Sequence, residues 1–207
     1  MSTLGKIAYY QNRRDEVPNQ ELARELAASK DSAGIQEIAD NLWNKNKNVR
    51  SDCLKVLYEI GYVDSQLIAG YVGDFLKLLG SKDNRMVWGA MIALATVASI
   101  RPQEIWQQVD AVIAAVQHGS LITVVWGVRA LATVAAADSA YSAKIFAMLL
   151  TQLKTCIPRD VPTHAESMLC AVNQGNKTEF TTALTARQAE MTPSQLARLK
   201  KVLKDPL

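Results

Sequence analysis

Two histidines, three cysteines and four tryptophans are the side chains of this sequence with the most chemistry to offer, and their spacing decides what they can do. His118 and His164 stand 164 − 118 = 46 residues apart, with no HExxH, CxxC or clustered carboxylate pattern in the chain. The donor spacings that hold zinc or a di-iron centre are therefore missing. Cys170 lies 170 − 164 = 6 residues beyond His164, nearly two helical turns along the axis, too far for the direct hydrogen bond by which a base activates a thiol. Gly70-Tyr71-Val72-Gly73 sits inside a helical pattern, with no strand ahead of it and no Lys-Ser/Thr after it, so it is not a phosphate loop. Recognition chemistry remains. Arg50, Trp88 and Trp126 recur at steps of 38 residues (88 − 50 and 126 − 88), and the next step reaches His164. Arg and Trp are enriched at binding hot spots because each joins a large contact area to a directional polar group. Together with Arg85 and Arg129 these residues form the candidate partner-binding set: Arg50, Arg85, Trp88, Trp126, Arg129 and His164. No catalytic residue, metal or cofactor is expected.

The elements that must position this row share its period. Val49, Val87 and Val125 are also 38 residues apart (87 − 49 and 125 − 87), and each opens an apolar run of helical spacing: Val49, Cys53, Val56, Leu57, Ile60; Val87, Ala90, Met91, Leu94, Val97; Val125, Val128, Leu131, Ala132, Ala135. The segments before them repeat as well, since Leu67, Tyr71, Phe75 and Leu78 map by 38 onto Ile105, Val109, Ile113 and Val116. ALATVA at 93–98 returns at 130–135, which is 37 residues on (130 − 93), so one residue is lost within that repeat. A period of this size marks stacked helix pairs, none of which covers its own apolar face. Helices are predicted near 18–29, 32–43, 48–60, 65–79, 84–99, 102–117, 122–136, 139–155, 163–173, 177–190 and 193–203. Asp31, Asp64, Asp138 and Thr192 are placed as N-caps, and Gly61, Gly80 and Gly119 as left-handed residues at helix ends. No linker composition interrupts the series. The expectation is one repeat domain over 1–207, with 1–17 as an N-terminal cap and 176–207 as C-terminal capping helices.

Composition excludes several classes. Lys+Arg 23 against Asp+Glu 20 leaves a net charge of +3, too small to read as a committed nucleic-acid binder; the weakly basic end around Arg198, Lys200, Lys201 and Lys204 reads as a solvated helix face. Three cysteines, Cys53, Cys156 and Cys170, cannot all pair and read as buried thiols in a reducing compartment. The longest uncharged stretch, Met86 to Ile100, falls short of the roughly 20 apolar residues of a membrane span, and no secretory leader precedes it. The sequence reads as a cytoplasmic protein with no membrane partner.

Asn46-Lys47-Asn48-Val49-Arg50 and Asn84-Arg85-Met86-Val87-Trp88, with Leu121-Ile122-Thr123-Val124-Val125-Trp126 as a looser third, resemble the start of the second helix in HEAT repeats, the armadillo-like family in which Val-Arg opens an Ala/Leu-rich run. Trp88 and Trp126 stand where that family usually has Arg. The resemblance covers roughly 31–173 and implies an all-α fold, a right-handed α-solenoid of about five HEAT-like helix pairs whose second helices line a concave surface. It implies a non-catalytic scaffold that binds a protein or peptide partner. The chain also resembles the HEAT-like alkylpurine DNA glycosylases, which hold an aromatic residue, a carboxylate and an Arg on the concave wall. On that reading Trp106 contacts the nucleotide, Asp110, one turn on, stabilises a cationic sugar, and Arg129 completes the set, with nucleic acid as the partner.

Overall fold

The computed structural model describes residues 2–204. The expected terminal caps also take in Met1 and residues 205–207, which lie outside the described residues. Among the described residues there are twelve α-helices and no strand: α1 Val17–Ser29, α2 Ser32–Asp40, α3 Lys47–Val63, α4 Val72–Leu78, α5 Asn84–Val97, α6 Pro102–Gln107, α7 Val109–His118, α8 Leu121–Ala137, α9 Ser139–Thr155, α10 Val161–Met168, α11 Lys177–Ala186 and α12 Pro193–Lys204. Each of α1, α3, α5, α8, α10 and α12 packs against the next, forming an inner row. Outside it, α2 covers α3, α4 covers α5, α6 and α7 cover α8, α9 lies against α8 and α10, and α11 rests on α9. The result is an all-α solenoid of five outer/inner pairs with α1 as an extra inner helix.

The core follows the apolar stripes. Val49, Cys53, Val56, Leu57 and Ile60 of α3, Ala90, Met91, Leu94 and Val97 of α5, and Val128, Leu131, Ala132 and Ala135 of α8 are buried in one continuous cluster. The first residue of the later stripes differs from expectation. Val87 and Val125 are half-buried, and Met86 and Thr123 take the buried places.

Two predicted outer helices are broken. The segment 65–79 begins as two 3-10 turns, Ser65–Leu67 and Ala69–Tyr71, before α4, with buried Ile68 between them at φ −114 and ψ −1. The segment 102–117 is divided at Gln108, φ −120 and ψ 27. Ile105 and Val109 on either side are both buried, so the apolar spacing of a continuous helix and of the broken one coincide.

Asp31 and Asp138 cap α2 and α9 by accepting the N–H of Gly34 and Ala140. Asp64 caps a 3-10 turn through Gln66 N–H, and Thr192 Oγ1 accepts from Gln195 N–H at 3.5 Å. The glycine expectation is corrected: no glycine has positive φ, and the left-handed residues are Asn12 and Lys30. At Lys30 the N–H groups of Lys30 and Asp31 return to Ala27 and Leu26 carbonyls, so local hydrogen bonding closes the helix without glycine. Gly61 instead continues α3, because a Cβ there would overlap Thr96 Oγ1 and Ile68 Cδ1; close packing, not a turn, requires it.

Candidate partner-binding wall

Trp88 projects from the second turn of α5 and Trp126 from that of α8, each half-buried and packed on the core. Trp88 lies against Tyr58 of α3 with ring centroids 6.2 Å apart. Tyr58 meets Tyr62 one turn along α3 at 5.9 Å, and Tyr62 meets Trp126 at 5.7 Å. Arg129, one turn beyond Trp126, holds its guanidinium carbon 5.3 Å from that indole centroid, a cation–π contact. The four rings form a continuous strip across α3, α5 and α8. Tyr62 on α3 and Trp126 on α8 touch although α5 stands between their helices, so the strip bridges over α5 on one side of the inner row.

Tyr58 is buried and Tyr62 is 46% exposed. Burial, then the neighbouring Tyr58 and Glu59, pushes the Tyr62 phenol up to about 12, so it is a neutral hydrogen-bonding group at physiological pH. Lys55 sits 4.9 Å from the Tyr58 centroid and bridges Glu16 at 2.8 Å and Glu59 at 2.7 Å.

The N-terminal segment frames one end of the strip. Ile7 and Ala8 are buried; Ala8 N–H donates to the buried Asn19 Oδ1 at 2.9 Å and Tyr9 N–H to Asp52 Oδ2 at 2.8 Å. Asn12 at φ 53 then turns the chain, with Arg13 N–H returning to Ala8 O. Arg13 and Arg14 are thereby brought beside Arg85 of α5.

The expected row of four is corrected at both ends. Arg50 is half-buried and donates through Nη1 to the carbonyls of Asn44 at 2.8 Å and Lys45 at 3.3 Å, closing its own inter-helix turn. His164 is buried, 1% exposed, and neither ring nitrogen has a hydrogen-bond partner. Its helix has 8 residues against 17 in α8, and α12 is drawn over it: Arg198 donates to Glu166 at 2.6 and 2.9 Å and to Thr163 Oγ1 at 3.1 Å. Desolvation lowers the His164 pKa, opposed by Asp160. The wall thus holds Arg85, Trp88, Trp126 and Arg129. Tyr58 and Tyr62 were missed, although their i, i+4 spacing on a helix next to the Trp88 turn marked them as a pair; the Asn12-Arg13-Arg14-Asp15 turn was missed as well.

Trp106 and Asp110 stand elsewhere. The Trp106 ring stacks on Tyr141 of α9 at 4.6 Å, and Asp110, on outer helix α7 with its side chain 81% exposed, is paired with Lys144. Among the described residues no hydrogen bond, ion pair or ring contact joins either to Arg129, which lies over Trp126. The Asp110 carboxylate already faces an ammonium group away from the aromatic wall, and the carboxylates that do stand beside the wall, Glu16 and Glu59, are held by Lys55.

The fold has parallels among solved structures. A designed armadillo repeat protein in complex with the peptide (KR)4 aligns with TM-score 0.68 and 16% identity over 98% of this chain and 97% of its own. An engineered protein aligns with TM-score 0.66 and 19% identity over 99% and 96%, and a computationally designed armadillo repeat protein for modular peptide recognition with TM-score 0.63 and 16% identity over 98% and 97%. The fold is a HEAT/armadillo-like repeat solenoid. No family model and no curated relative matches the sequence. Among the described residues no helix is long and apolar enough to cross a membrane.

Proposed function

We propose that the protein is a non-catalytic repeat scaffold that holds a peptide segment of a partner protein along its concave wall. The observation that carries this reading is the strip Trp88–Tyr58–Tyr62–Trp126, four rings in contact across three inner helices, in which buried Tyr58 backs the solvent-facing Trp88, Tyr62 and Trp126. Large, rigid, amphipathic rings supply contact area at low entropic cost and leave polar tips to fix orientation. The steps between ring centroids, 5.7 to 6.2 Å, are close to the roughly 6.6 Å between alternate residues of an extended chain, so apolar side chains at every second peptide position address successive rings. The peptide-binding neighbours support the same class of ligand.

Selection of a displayed peptide library against the protein tests the proposal. Enriched peptides should carry apolar residues at alternate positions and bind the wild type at least tenfold more tightly than Trp126→Ala. Enrichment that is indifferent to Trp126→Ala and Tyr62→Ala would overturn the assignment of the wall.

A further inference from the structure

Beside the aromatic strip, Tyr9, Asn12, Arg13, Arg14, Asn48, Asp52 and Arg85 enclose an open cavity of about 510 Å³. A smaller recess, about 60 Å³, connects it to Tyr58 and Trp88 and shares Arg13, Arg14, Asp52 and Arg85 with it. The carboxylates nearby are already engaged. Asp15 accepts from Arg13 Nε at 2.8 Å and from Val17 N–H, Asp52 accepts from Tyr9 N–H, and Glu16 and Glu59 share Lys55. Arg14 and Arg85 are exposed and have no side-chain partner among the described residues, so two unpaired guanidinium groups face a cavity whose one carboxylate, Asp52, is held by the Tyr9 N–H, and the lining keeps an excess of positive charge. Their setting is built in advance: the loop that carries Arg14 is fastened through Asn19 and Asp52 and turned by Asn12, and Arg85 stands on the first turn of α5, capped by Asp83.

We infer that this cavity is a carboxylate subsite, and that the partner segment is an acidic peptide whose Asp or Glu side chain enters between Arg14 and Arg85 while the apolar residues that follow it lie on Trp88, Tyr62 and Trp126. The inference rests on the peptide-binding reading and specifies its partner. A guanidinium presents a planar fork that matches a carboxylate bidentately, and two such forks beside an aromatic strip select acid followed by alternating apolar side chains. The charge sense is opposite to that of the (KR)4 peptide held by the designed neighbour.

The test uses three fluorescein-labelled decapeptides identical except at two leading positions, which are Glu, Gln or Lys, followed by leucine at three alternate positions; binding is read by fluorescence anisotropy. The Glu peptide should bind at least tenfold more tightly than the Gln peptide, and the Lys peptide more weakly than either. The double variant Arg14→Gln/Arg85→Gln, whose side chains support no other contact, should keep its melting temperature and bind the Glu peptide no better than the Gln peptide. Raising the salt concentration should narrow the difference as the charges are screened. Equal binding of Glu and Gln peptides, each weakened by Trp126→Ala, would overturn the carboxylate subsite and leave the wall standing. Binding by none of the three would overturn both. Binding of a 15-base-pair DNA duplex lost in the same double variant would reassign the arginines to nucleic-acid phosphates and overturn the acidic peptide.

Discussion

Replacing Gly89 by alanine probes the contact that brings α5 against α3 directly beneath the aromatic strip. A Cβ on Gly89 would stand 2.6 Å from Leu54 Cδ2, 3.0 Å from Leu54 Cγ and 3.8 Å from Tyr58 Cε1, whereas carbon atoms in contact prefer about 3.5–4.0 Å. Leu54 is 1% exposed and enclosed by the core, and its Cγ as well as its Cδ2 is crowded, so a change at the chain tip alone does not relieve the overlap. Overpacking of this kind costs about 1–3 kcal/mol. Alanine in a helix interior returns about 0.5–1 kcal/mol relative to glycine. The net expectation for Gly89→Ala is a loss of about 1–2 kcal/mol, a fall in melting temperature on the order of 4 °C for a chain of this size. Gly73→Ala is the internal control, since a Cβ there meets nothing within 4 Å, and it should raise the melting temperature slightly. Leu54→Ala costs about 2–5 kcal/mol by itself, but in a double-mutant cycle with Gly89→Ala the combined loss should fall short of the sum by about 1–2 kcal/mol. The assay is thermal and urea denaturation followed by circular dichroism. If Gly89→Ala stabilises as Gly73→Ala does, or if the two losses simply add, the close-approach argument is refuted.

Arg187, 8% exposed, donates to the carbonyls of Leu153, Lys154 and Cys156 at 2.9, 2.8 and 2.7 Å and forks onto Glu190, closing the C-terminal end of α9. Arg187→Met strands these acceptors and should cost about 3 kcal/mol in urea denaturation, with Arg187→Lys recovering little because an ammonium group cannot span the same fork; wild-type stability in the Met variant would contradict this. His164 has a folded-state pKa held below its ordinary 6.5 by burial, so the unfolded chain takes up the proton first and stability is lost as pH falls below about 6.5 towards the folded-state value. The slope is at most about 1.4 kcal/mol per pH unit, and in urea titrations from pH 7.5 to 5 that component should vanish in His164→Leu, which also removes two unpartnered buried nitrogens. Burial, with Asp52 and Glu37, pushes the Cys53 thiol up to about 12, whereas the expectation of three buried thiols is corrected at the other two: Cys156 is half-buried and Cys170, just past the end of the short α10, is exposed. Maleimide at pH 8 followed by mass spectrometry should therefore label Cys170 first and Cys53 only in denaturant.

The stacked-pair architecture was legible because it rests on periodicity. The stripes from Val49, Met86–Ala90 and Val128 onward place one buried side chain per turn, and any helix that carries them must be covered by its neighbours. The breaks at Ile68 and Gln108 left no mark because both flanks keep a helical spacing. The wall was half legible. Trp88 and Trp126 stand at equivalent places, but equivalence in sequence says nothing of what the neighbouring repeat covers, and at the same step Arg50 turns to its own loop while His164 disappears beneath α12. Arg14 stayed hidden for another reason: its position depends on Asn19 and Asp52, whose hydrogen bonds tie residues 11 and 43 positions apart, and no local pattern announces a strap of that kind.

Tyr62 reaches past one helix to touch the next, and this makes the coil behave as a spring with a stop. Pulling α3 and α8 apart to lengthen the superhelix must first separate the Tyr62 and Trp126 rings and forfeit about 0.5–1.5 kcal/mol. A guest that straightens the coil therefore works against that catch, one that tightens it does not, and the emission of Trp126 becomes a built-in strain gauge that tells the two apart.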